Sequence, residues 1–101
     1  MSERTEIQAW TLEYLKAHNI LYERRNTGRR GGVSFGKPGY PDIFAVFKGH
    51  HIEIECKVPK GGLSEGQKVA RAEILNSGAS YLLAKTPDDV TGFFAVLLGY
   101  L

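Results

Sequence analysis

A chain of 101 residues is long enough to bury one hydrophobic core and too short for two, so a single domain over residues 1–101 is expected. Hydrophobic residues make up 43% and charged residues 24%, which excludes a disordered or fibrous chain. The formal net charge is only +2, so whole-chain charge does not identify a partner and the placement of the charges must. The single cysteine, Cys56, excludes an internal disulfide framework and a cysteine-based zinc cluster, and it fits a reducing, cytoplasmic location. "MSERTEIQ" has no apolar run behind it, and "FFAVLL" is far short of the roughly 20 residues that span a bilayer. A soluble protein without a signal peptide is expected.

From Ser2 to about Ala17, the three- and four-residue spacing of Ile7, Trp10, Tyr14 and Leu15 predicts an amphipathic helix, with Ser2 as N-cap and Asn19 as C-terminal stop. "ILYERR", residues 20–25, reads as a strand. "NTGRRGGVSFGKPGYP" holds too many glycines and prolines for regular interior structure, and a loop of this length in a small domain is a candidate binding element. "DIFAVFKG" and "HIEIECKV" read as two strands of a hairpin with its turn at "GH". After the break at "PKGG", "LSEGQKVARAEILNSG" predicts a helix from a Ser64 cap to a Gly78 stop, and "ASYLLAK" a buried strand. "TPDDVTGFFAVLLGYL" predicts a closing helix with an aspartate cap, a terminal strand being the alternative. The order α-β-β-β-α-β-α points to an α/β domain with one mixed β-sheet flanked by helices.

Strand alternation puts His51, Glu53, Glu55 and Lys57 on one face, and Ile52, Ile54, Cys56 and Val58 on the other, which is core. The charged face would be an ordinary solvated one, but for Asp42. It heads the preceding strand, and twelve residues separate it from Glu55, a hairpin length that brings the two together. Two carboxylates with a lysine beside them pack poorly and suit a hard divalent cation such as Mg²⁺, which takes oxygen ligands and keeps waters. Lys57 would lie beside such a water, either orienting it as an ammonium or taking its proton; the residues alone do not choose.

"PDIFAVFKGHHIEIECKVPKGGLSEGQ" resembles the PD-(D/E)xK nucleases, with Pro41-Asp42 as the first half-motif and Glu55-Cys56-Lys57 as the second. Within that superfamily the chain looks like a small stand-alone VRR-NUC (virus-type replication-repair nuclease) domain of the phage kind. "TEIQ", the glycine- and arginine-rich loop, "GYPDI" and "KGGLSEGQ" support this, over about Glu3 to Val90. The resemblance implies a restriction-endonuclease-like core and metal-dependent cleavage of DNA, with Mg²⁺ as cofactor and Mn²⁺ as substitute. It implies that Asp42, Glu55 and the Cys56 carbonyl bind the metal and that Lys57 is the catalytic lysine. Glu6 matches the first-helix glutamate that joins the metal, with Glu3 as its near alternative, and Gln67 matches the supporting glutamine of the later helix. Gln67 also stands three residues after Ser64, the spacing of a capping box. Glu53 is outside the motif, so solvation or a salt bridge is its expected role. His50 and His51 lack a third histidine at ligand spacing and read as exposed turn residues.

Arg24, Arg25, Arg29, Arg30 and Lys37 fall in one stretch without an acidic residue, which suits a phosphate backbone, and Lys60 adds a second contact. The small stand-alone members of the family resemble Holliday-junction resolvases. The expectation is therefore an endonuclease on branched DNA, four-way junctions first and flaps or nicks second, in a phage-infected or prophage-bearing bacterial cell. A homodimer through the apolar "FFAVLLGYL" tail is expected, unless that tail only covers the protein's own sheet. A catalytically silent DNA-binding module is the rival class, and a purely structural partner in a replication complex is a third.

Overall fold

The computed structural model describes residues 3–25, 29–30, 33–34 and 39–99; the predicted Ser2 cap and Lys37 lie outside them. The elements run α1 (Glu3–Ala17), β1 (Leu21–Arg24), β2 (Arg29–Arg30), β3 (Val33–Ser34), β4 (Ile43–Phe47), β5 (His50–Cys56), α2 (Glu65–Asn76), β6 (Ser80–Ala84) and α3 (Pro87–Gly99). Strands β1, β4, β5 and β6 form one mixed sheet in that order, antiparallel up to β5, with β6 parallel to β5. This is the predicted order, with one addition: the long loop holds a two-residue ladder, Arg29 opposite Ser34 and Arg30 opposite Val33, where no regular structure was expected.

Helix α1 stops where expected, because Asn19 takes φ +56° and closes a Schellman motif. The Asn19 N–H donates to the Lys16 carbonyl and the Ile20 N–H to that of Leu15, and the buried Leu15 and Ile20 lie at the two ends of the second bond. The hairpin turn falls one residue earlier than predicted. Phe47 pairs with His50, so the two loop residues are Lys48 and Gly49, both at positive φ (+49° and +84°), as a type I′ turn demands. That turn fixes the register, pairing Ile43 with Ile54 and Ala45 with Ile52.

Residues paired across the sheet share a face, so Ile43, Ala45, Ile52, Ile54, Cys56, Leu82 and Ala84 lie together. They pack with Ile7, Leu15 and Ile20 from one side of the chain and Val90 and Phe94 from α3. The apolar tail thus spends Phe94 on the protein's own sheet, beside Val90 just before it, while Val96 is 61% exposed; Tyr100 and Leu101 are outside the described residues. The opposite face carries Phe44, His51, Glu53, Glu55 and Tyr81, and α2 lies over it on the β6 side, with Ala70 and Ile74 buried. Helices therefore cover both faces, which is why β5 is buried on both sides from Ile52 to Cys56. Among the described residues no helix is long and apolar enough to cross a membrane.

Two capping boxes seat the later helices. In α2 the Ser64 hydroxyl accepts from the Gln67 N–H, and the Gln67 side chain accepts from the Ser64 N–H at 2.9 Å. The cap of α3 is Thr86 rather than an aspartate: its hydroxyl accepts from the Asp89 N–H, while Asp89 Oδ2 accepts from the N–H groups of Lys85 and Thr86. The chain entering β4 is held against the start of α2 by Gly39, at φ +80°, where a Cβ would come within 2.6 Å of the Gly66 carbonyl oxygen. Both the conformation and the contact with rigid backbone require glycine. Gly39→Ala should therefore cost about 2 kcal/mol or more of stability in urea unfolding. A cost under about 0.5 kcal/mol would show that the loop does not depend on this contact.

Candidate functional site

The hairpin register carries Asp42, one residue before β4, to the level of Glu55. Both are buried, at 6% and 2% exposure. The Asp42 carboxylate accepts from the Cys56 N–H at 3.3 Å through Oδ2 and from Arg4 Nη2 at 2.5 Å through Oδ1. Arg4 Nε also donates to the Cys56 carbonyl at 3.3 Å. One guanidinium thus spans two of the oxygens that the sequence marks as metal ligands, a carboxylate and a main-chain carbonyl.

Burial pushes the Glu55 carboxyl up to about 8, and the charge of Asp42 and a hydrogen bond between the two carboxyl groups push the same way. Lys57 and Arg4 oppose the shift without cancelling it. Glu55 therefore keeps its proton up to about pH 8, since burial and the neighbouring Asp42 charge outweigh the cations beside it. Lys57 follows directly on β5, and its N–H donates to the Ala84 carbonyl at 3.0 Å, which extends the pairing with β6. Its half-buried position leaves the ammonium acting on Glu55. Burial and the same two carboxylates raise the Cys56 thiol to about 12, so its side chain is an inert core group and only its carbonyl is available to the site.

Of the other predicted ligands, Glu6 is exposed and lines a groove of about 360 Å³ with Trp10, Pro59, Lys85 and Pro87; the structure does not bring it to Asp42 and Glu55. The side chain of Glu3 lies outside the described residues. Gln67 forms its capping box beside the Gly39 contact. Among the described residues no three His, Cys, Asp or Glu side chains converge as a metal cluster, so the oxygen set is two carboxylates and one carbonyl. That set fits a hard cation, and a cationic guanidinium already bridges part of it.

The predicted DNA contacts divide. Arg24 and Lys60 are exposed, and of Arg29 and Arg30 only the backbone is described. Arg25 is committed elsewhere. Its guanidinium grips both oxygens of Glu53, donates to the Pro41 carbonyl at 3.2 Å, and lies over the rings of Phe44 and Tyr40, while its N–H donates to the Asp42 carbonyl. Glu53, at 3% exposure, also bonds His51 Nε2, and the His51 ring stacks on Phe44. The expected salt bridge of Glu53 is present, but on a buried face rather than a solvated one.

Sequence reasoning missed Arg4, although Arg4, Ile7, Thr11 and Leu15 continue one helical stripe and so point a cation at the sheet. It also missed Tyr81, opposite Glu53 in the β5–β6 register, with Arg71 of α2 over its ring at 5.6 Å. Burial, then Glu55, hold the Tyr81 hydroxyl at about 12, so it keeps its proton. No protein-family model matches the chain, and no curated protein matches it either.

Two outcomes test this geometry. The Glu55 carboxyl titrates near 4.5 when unfolded and near 8 when folded, so its contribution to stability is complete below about pH 4.5 and is lost as the pH rises through about 8. In EDTA, the wild type minus Glu55→Gln difference in unfolding free energy should fall by on the order of 3 kcal/mol between pH 5 and pH 8. A flat difference would show that Glu55 is not protonated in the folded protein at pH 5–8. Separately, Arg25→Ala strands a buried carboxylate and should cost about 3 kcal/mol in urea unfolding, whereas a surface phosphate contact would cost almost nothing.

Proposed function

We propose that the protein is a divalent-metal-dependent endodeoxyribonuclease of the PD-(D/E)xK kind, a VRR-NUC-like enzyme with a restriction-endonuclease-like core. The observation that carries this reading is the convergence of Asp42, Glu55 and the Cys56 carbonyl next to Lys57, with Arg4 bridging two of those oxygens as a cation. Burying two carboxylates costs stability unless a cation compensates, so such a set is maintained for what it binds. The sheet order, with its antiparallel hairpin and a parallel strand after α2, agrees with the core that the motif implies.

A bound Mg²⁺ or Mn²⁺ supplies a Lewis acid for the scissile phosphate and a water of lowered pKa. Asp42, Glu55 and the Cys56 carbonyl would hold that cation in place of the Glu55 proton and the Arg4 bridge. Lys57 would orient the attacking water and offset charge on the phosphate; as the water oxygen bonds to phosphorus its proton passes to solvent, the P–O3′ bond breaks, and the 3′-oxygen takes a proton from water, leaving 5′-phosphate and 3′-hydroxyl ends. Arg24 and Lys60 contact phosphates, with Arg29, Arg30 and Lys37 of the long loop as further cations. Contacts of this kind carry little base information, so the substrate is recognised by shape, and branched DNA, four-way junctions above all, is the proposed class. Symmetric cutting of a junction calls for a C2 homodimer, for which the outward side of α3 around Val96 offers apolar surface.

The Arg4 bridge also favours a second reading, a DNA-binding module whose oxygen set an arginine closes permanently. One assay separates the two: labelled duplex, flap and four-way junction DNA, each with Mg²⁺ or with EDTA. The wild type should cut the junction only with Mg²⁺. Glu55→Ala and Lys57→Ala should each cut more than about a hundredfold more slowly while binding it as before. Binding without metal-dependent cutting of any substrate would leave the module reading standing.

A further inference from the structure

The aromatic side of α1 ends at a groove. His18, Tyr14 and Trp10 stand four residues apart and form a ladder: the ring centroids of His18 and Tyr14 lie 4.1 Å apart, those of Tyr14 and Trp10 5.4 Å apart, and both pairs are stacked. The next step toward the start of the helix is Glu6, so the ladder has no fourth ring. In its place is the groove of about 360 Å³ that Glu6 and Trp10 line with Pro59, Lys85 and Pro87. The Trp10 ring is half-buried and braced by Tyr14, which itself packs on Phe94 at 5.7 Å. A large aromatic ring held in place behind and open to a groove is a stacking platform.

The same chain segments build the groove and the acid site. The Lys57 N–H donates to the Ala84 carbonyl, so Lys85 follows at the next step of the parallel β5–β6 pairing, where strands lie about 5 Å apart. Pro59 stands two residues beyond Lys57, and the first turn of α1 sends Arg4 to Asp42 and the Cys56 carbonyl while Glu6 lines the groove. We infer that the groove is a subsite for one unpaired DNA base, that of the nucleotide next to the scissile phosphate, an inference that rests on the proposed nuclease reading. The volume falls at the low end of the roughly 300–1,000 Å³ of small-molecule sites, which suits one planar ring system. The base stacks on Trp10 between the rigid rings of Pro59 and Pro87, and Lys85 meets its phosphate. The Glu6 carboxylate accepts from an N–H on the pairing edge, which every base carries and only an unpaired base has free. Glu6 thereby gains a role away from the metal. The subsite also gives a reason for branched substrates, since a base leaves the stack at least cost where the duplex is already interrupted.

Trp10 is the only tryptophan in the chain, so its fluorescence reports on the groove alone. The wild type is titrated in EDTA with a short oligodeoxycytidylate, with a strand of the same length built of abasic sites, and with a four-way junction. Tryptophan emission reads stacking, and the anisotropy of a dye on the DNA reads binding. The cytosine strand should quench Trp10 and bind roughly tenfold more tightly than the abasic strand, which should leave the emission unchanged. Trp10→Ala should bring the two strands to the same affinity; if that variant does not fold, the wild-type titration decides. Equal affinity of the wild type for both strands, unchanged emission with the cytosine strand, or equal quenching by both overturns the inference and leaves the nuclease reading intact. Binding of the junction but of neither strand does the same. A protein that binds none of the three overturns the nuclease reading and this inference with it.

Discussion

Two carboxyl groups meet in the dry interior of a small sheet, and the rest of the site is arranged around that cost. A buried carboxylate is expelled into water, protonated or given a cation. Two of these answers are visible within a few residues. Glu55 holds a proton against Asp42, Asp42 takes Arg4, and Glu53, one step along the same face, takes Arg25. The cations come from different parts of the chain, a helix and the end of a strand, so the acid face also ties those segments to the sheet. Charge pairing here does the work that apolar contact does on the opposite face.

The pair exists because of a turn. Lys48 and Gly49 at positive φ close the tightest hairpin available, and the register that follows is what levels Asp42 with Glu55. A slip of one residue would send Glu53 and Glu55 into the apolar core and Ile52 and Ile54 onto the acid face. The core therefore enforces the site: every isoleucine packed against α1 and α3 is a vote for the register that brings the carboxylates together.

Most of the fold could be read from periodicity and punctuation. Helix α1 announced itself by the spacing of Ile7, Trp10, Tyr14 and Leu15, helix α2 by Ser64 and Gly78, and the hairpin by its alternation. What failed was local in a different sense. The turn shifted by a residue because a lysine took a left-handed conformation usually left to glycine or asparagine, and Thr86 took the cap because Asp89 served it as the reciprocal partner. Asp42, Glu55 and Lys57 stand out in sequence because their spacing matches a hairpin. Arg4, Arg25 and Tyr81 do not, since their relation to the acid face depends on contacts between elements. The burial of Glu53 was equally hidden, because an alternating strand looks the same whether its polar side faces water or a helix.

The close approach of Gly39 to Gly66 has a mechanical meaning. Two residues separate this pin from Asp42, and on its other side the chain leads back through the basic stretch to Arg25. Any load arriving at Gly39 from that side would meet the first turn of α2 before it met the acid pair. The pin would serve as a strain relief that lets Asp42 keep its spacing to Glu55.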